Sequence, residues 1–226
     1  MRRTLGPHAL SLAFLAFFAI ALAGQALAGW QDFNNEASAH DEESVSLGRY
    51  LVSSSFGQAV LENWQSEYLQ FTLYIFATIW LIQKGSNESK KPGRAGRESA
   101  EQQLLGEHAS PDSPRWAGVG GWRTALYSNS LLMVMGAIWI ASWLAQSLAG
   151  RIVYNADQLD HQAPTVSWPT YVTTSDFWNR TLQNWQSEFL AVGTMVVFTI
   201  YLRQRGSPES KPAERPTTRP PRPASP

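Results

Sequence analysis

The chain has 226 residues, 44% of them hydrophobic, with ten tryptophans and no cysteine. Its 18 Lys and Arg balance 18 Asp and Glu, so the formal net charge is zero. No disulfide scaffold, thiolate metal site or cysteine nucleophile is available, and a zero balance speaks against a dedicated nucleic-acid binder.

The averages hide a patchy chain. The first apolar run, Ala9 to Trp30, has 22 residues and no charge. The second, Tyr68 to Gln83, has 16 residues; the third, Ala125 to Gly150, has 26, and the fourth, Phe189 to Leu202, has 14. The two long runs exceed the roughly 20 residues a helix needs to cross about 30 Å of hydrocarbon. Each short run follows a long one and leads into lysine or arginine, so the pattern predicts four spans, at about 9–30, 64–84, 126–150 and 185–205. The fold class expected is all-α and transmembrane.

The charges set an orientation. With the amino terminus, Lys84 to Arg123 and the tail from Arg203 on one side, that side holds 15 basic residues and the other only Arg49, Arg151 and Arg180. The lysine and arginine bias places the richer side in the cytoplasm. Both termini are expected there, with two loops outside.

An internal repeat organises the rest. Asn63-Trp64-Gln65-Ser66-Glu67 recurs as Asn184-Trp185-Gln186-Ser187-Glu188, 121 residues later. The same offset pairs Gln25 with Gln146, Leu27-Ala28-Gly29 with Leu148-Ala149-Gly150, and Glu88-Ser89-Lys90 with Glu209-Ser210-Lys211. From Gly24 to Lys90 there are 27 identities in 67 pairs. Both copies enter from the cytoplasm, so the duplication is parallel, unlike the inverted repeats of many transporters. Residues 1–92 form the first span-loop-span unit and 123–212 the second. Residues 93–122 are expected to be a flexible linker and 213–226 a disordered proline-rich tail. Arg2-Arg3, the apolar run and Ala26-Leu27-Ala28 imitate a signal peptide. The second copy carries Ser147-Leu148-Ala149 deep inside the chain, so those small residues are expected to belong to a retained span.

Finer detail follows from capping and spacing. Ser54 and Ser175 are expected to cap long helices over roughly 56–84 and 177–205, with Gly85-Ser86 and Gly206-Ser207 ending them. Short helical turns are expected near Leu47–Val52 and Trp168–Thr173. Gly24-x-x-x-Ala28 and Ala145-x-x-x-Ala149 permit close helix approach. The glycosylation patterns at Asn87 and Asn179 are short enough to arise by accident.

These motifs together resemble a family of small bacterial integral membrane proteins of unknown function. The resemblance rests on Gly24-Gln25, Tyr154-Asn155, His161, Asn184 to Leu190 and Gln204 to Lys211, with their first-copy counterparts. Phe33, Tyr68 and Lys84 depart from the pattern. It implies a plasma-membrane location and supplies no activity.

The repeated polar residues are the candidate site. Glu67 falls about one turn inside the outer interface, where a carboxylate is costly and normally faces a bundle interior or a wet cavity. Asn63 and Glu67 share a helix face, as do Asn184 and Glu188, and Gln25 and Gln146 lie at similar depth. A proton or cation site is one reading, which makes the chain a small transporter, and four spans would then need a homo-oligomer to enclose a pathway. The other reading, which the sequence favours, is structural, with Trp64, Tyr68, Trp185 and Phe189 as interfacial anchors. His40 and His161 stand one per loop, too few for a metal. No catalytic constellation is present. The expectation is therefore a non-enzymatic envelope protein without cofactor or metal. Its partners would be the lipid bilayer and a second copy or another membrane protein, with no nucleic acid.

Overall fold

The structure, a computed structural model, describes residues 6–210; the expected proline-rich tail lies outside them. The described residues are helical, with no strand among them. Four long helices dominate: α1 (Ala9–Ala39), α3 (Ser54–Trp80), α6 (Ser130–Asp160) and α8 (Ser175–Tyr201). Between them lie α2 (Leu47–Leu51), α4 (Arg115–Gly118), α5 (Gly121–Ser128) and α7 (Trp168–Tyr171). α1 and α6 have 31 residues each, and α3 and α8 have 27, or roughly 46 and 40 Å of helix. By length and composition, two helices among the described residues are apolar enough to cross a membrane: Gly6–Ala39, which includes the 3-10 turn before α1, and α6.

The bounds of α1 and α3 reappear in α6 and α8 with an offset of 121 residues. Local contacts follow the same offset. The Asn34 amide accepts from Val45 N at 2.8 Å and donates to Val45 O at 3.1 Å. Asn155 does the same to Val166 at 2.8 and 3.0 Å. Ser46 and Ser167 cap α2 and α7 through the amides of Arg49 and Thr170. Buried Tyr50 and Tyr171, carried by these short helices, press their hydroxyls onto Gly29 and Gly150. The short helices sit where the sequence placed them.

Several boundaries differ from expectation. α1 continues nine residues past Trp30. α6 begins at Ser130, after α5 has ended at Ser128, so helix is interrupted at Asn129 within the expected 126–150 span. The caps of α3 and α8 are Ser53 and Thr174, one residue before Ser54 and Ser175. Their hydroxyls accept from Phe56 N and Phe177 N at 3.2 and 3.3 Å. Both helices also end four residues before the expected 84 and 205. The cause lies downstream: Gln83 N donates to Ser89 Oγ and Gln204 N to Ser210 Oγ, each at 2.8 Å. The chain turns back through Gly85 (φ 95°) and Gly206 (φ 89°), a left-handed geometry that favours glycine.

The central segment is less featureless than its composition. Lys90 Nζ reaches Glu98 and the Gly96 carbonyl, both at 2.7 Å, and its ammonium holds the Glu98 carboxyl below the usual range. The described residues group into two compact units. One comprises those up to Asn63 with Ser142–Trp178, the other Trp64–Ala141 with those from Asn179 onward.

Candidate functional site

The first unit holds three of the six candidate polar residues. Gln25 is half-buried, and Asn63 is exposed and donates back to Ala59 O at 3.1 Å. Gln146 is only 1% exposed, and its amide meets no protein partner among the described residues. Around it lie neutral polar contacts, such as Trp168 Nε1 donating to Ser147 Oγ at 2.9 Å. Gln58, which lies near Gly150, donates to the Glu62 carboxyl at 2.9 Å.

The second unit holds Glu67, Asn184 and Glu188. Glu67 is exposed and Glu188 half-buried. Asn184 donates back to Arg180 O at 2.8 Å. The candidates therefore fall into two groups. The inward positions of this motif belong to Gln65 and Ser66, both buried, and Gln65 Oε1 accepts from Trp185 Nε1 at 2.7 Å. Trp185 is half-buried, as is Tyr68, while Trp64 and Phe189 are exposed. Gln65 was readable as part of the repeated motif, but nothing in the sequence distinguishes it from Gln186, which is exposed.

His40 and His161 follow the ends of α1 and α6, and both are exposed. The Asp157 carbonyl lies 2.8 Å from the His161 ring. With the nearby Asp157 charge it raises the imidazole above its ordinary range.

A further polar site is one the sequence left without a role, the repeated Gly-Ser-x-Glu-Ser. In the second unit its two copies lie together. Ser86 Oγ meets Thr199 Oγ1 at 2.8 Å in a buried contact, and Asn87 donates to Pro208 O at 3.0 Å. Each motif serine also accepts from the glutamate amide two residues on, Ser86 from Glu88 and Ser207 from Glu209. Tyr74 Oη donates to Glu88 Oε2 at 2.5 Å. The other oxygen, Oε1, is buried without a donor, and Glu209 lines the same hollow as this side chain. Hydrogen bonding with Glu88, then the Glu88 charge, raises the Glu209 carboxyl above the usual range.

Beside this pair a cavity of about 420 Å³ opens between α3 and α8, lined by Leu73, Ala77, Phe189, Val192 and Val196 among others. Gln70, Tyr74, Glu88 and Val192 also line a neighbouring hollow of about 200 Å³ that includes Glu209.

A family model described as a domain of unknown function (DUF6766) matches residues 1–220. The chain belongs to the DUF6766 family. Of the curated proteins and solved structures compared with this DUF6766 chain, none matches it.

Proposed function

We propose that this DUF6766 protein is a multi-pass protein of the bacterial plasma membrane, made of two span-loop-span copies, that serves as a non-enzymatic structural or interaction element of the envelope. One observation carries the reading: the polarity of the molecule is reversed relative to a water-soluble domain. Large apolar side chains stand outside, as with Leu10 at 74% and Ile20 at 70% exposure, while Gln58, Gln65, Gln146, Ser66, Ser142, Ser147, Thr181 and Thr199 are buried. In water such exposure costs about 25 cal/mol per Å² of apolar surface; in lipid it is the resting state. Neutral amides and hydroxyls inside are what bind helices together in a bilayer, at roughly 0.6–2 kcal/mol per interhelical bond.

The same inventory weighs against a transport pathway within one copy of the chain. The repeated carboxylates Glu67 and Glu188 are exposed and half-buried there, whereas a conducting site enclosed by the one chain needs them turned inward. Proteoliposomes containing the full chain are therefore expected to leak protons and potassium no faster than protein-free vesicles. A leak that disappears in the Glu67→Gln, Glu188→Gln double variant, with the protein still inserted, would replace this reading by transport.

A further inference from the structure

We propose that the second unit binds a lipophilic organic cation, its apolar body in the cavity between α3 and α8 and its charge against Glu88 and Glu209. This goes beyond the structural role above. It does not depend on the number of membrane crossings, because cavity and acid pair lie within one unit.

Three features point to this class of ligand. The cavity, at about 420 Å³, lies within the range of about 300–1,000 Å³ common for small-molecule sites. Its apolar wall, from Leu73 and Ala77 of α3 and Phe189, Val192 and Val196 of α8, suits a hydrocarbon or aromatic body. Its charge has one sign: Glu88 and Glu209 are the charged side chains lining the two hollows among the described residues, and Tyr74 is the other titratable group there.

The acid pair suits a positive charge: both carboxylates line the hollows beside the apolar wall, and no basic side chain lines them among the described residues. The buried Glu88 Oε1, which has no donor of its own, gains a counter-charge. Tyr74, bonded to Glu88 Oε2, holds the carboxylate at the border of the two hollows, both of which it lines. A neutral amphiphile would find the same wall and lose the charge.

The probe is tetraphenylphosphonium, titrated calorimetrically into the full chain in an uncharged detergent, with the detergent blank subtracted. Saturable one-to-one binding is expected. Glu88→Gln and Glu209→Gln should each weaken it by about tenfold, the scale of losing one charge-assisted contact. Ala77→Leu should weaken it comparably by filling the cavity while leaving both acids in place. Uncharged triphenylphosphine oxide should bind at least about tenfold more weakly. Glu209 is exposed, so its substitution reads the charge even if Glu88→Gln disturbs folding. No saturable binding, equal binding by the neutral probe, or undiminished binding by Glu209→Gln and Ala77→Leu would each overturn the proposal.

Discussion

Replacing Gly150 by alanine is expected to destabilise the first unit by about 2–3 kcal/mol, the upper range for overpacking a filled site. The added Cβ would stand 2.5 Å from the Tyr171 hydroxyl and 3.2 Å from the ring carbon that bears it. Tyr171 cannot swing aside. It is fully buried, with its ring against Tyr154 and Phe177 at centroid distances of 5.4 and 5.6 Å. Removing the oxygen relieves the closest contact, so Gly150→Ala with Tyr171→Phe should cost less than the two single losses combined. A coupling of about 1 kcal/mol is expected for residues in direct contact. Gly29→Ala should behave alike, because Tyr50 presses its hydroxyl onto Gly29 in the first copy. Denaturant unfolding of the four variants in detergent measures these losses. A neutral Gly150→Ala, or a double variant whose losses simply add, would contradict the packing described.

Asn155→Ala should cost about 2–3 kcal/mol and speed amide exchange at Val166. The side chain closes the segment after α6 with two bonds to one residue, accepting from Val166 N and donating to Val166 O. Each such bond contributes about 1 kcal/mol net, and a half-buried partner left unpaired adds to the loss. The ordering it provides is also what presents Ser167 to cap α7 and so places Tyr171. Asn34→Ala should reproduce the effect at Val45, which Asn34 holds in the same way. Hydrogen exchange at the two valines distinguishes this role from general destabilisation, since the increase should be largest at the valine whose own asparagine was removed. Unchanged exchange at Val166 in Asn155→Ala would show that the pair does not fasten the loop.

Much of this architecture was legible because short-range chemistry dictates it. The turns expected near Leu47–Val52 and Trp168–Thr173 stand as α2 and α7, and the helices expected from Ser54 and Ser175 begin there, with the caps one residue earlier. Helix ends were less legible. The hydroxyls of Ser89 and Ser210 that take the Gln83 and Gln204 amides lie six residues ahead, beyond the reach of a rule about glycine at the helix terminus. The site was least legible. Counting residues from Lys84 gives the depth of Glu67 along its helix and says nothing about which face it occupies; the inward face belongs to Gln65 and Ser66. Likewise, the repeated Gly-Ser-x-Glu-Ser gains a meaning only when its surroundings are seen to meet through Ser86, Thr199, Asn87 and Pro208, contacts between residues more than a hundred positions apart.

The proposed four crossings place residue 100 in the cytoplasm and residues 44 and 165 outside. The chain has no cysteine, so Ser44→Cys, Ala100→Cys and Thr165→Cys each introduce a single reporter without background. Treatment of intact spheroplasts with a membrane-impermeant maleimide should label positions 44 and 165 and leave position 100 unlabelled until the membrane is opened. Labelling of position 100 in sealed spheroplasts, or protection of position 165, would contradict the arrangement.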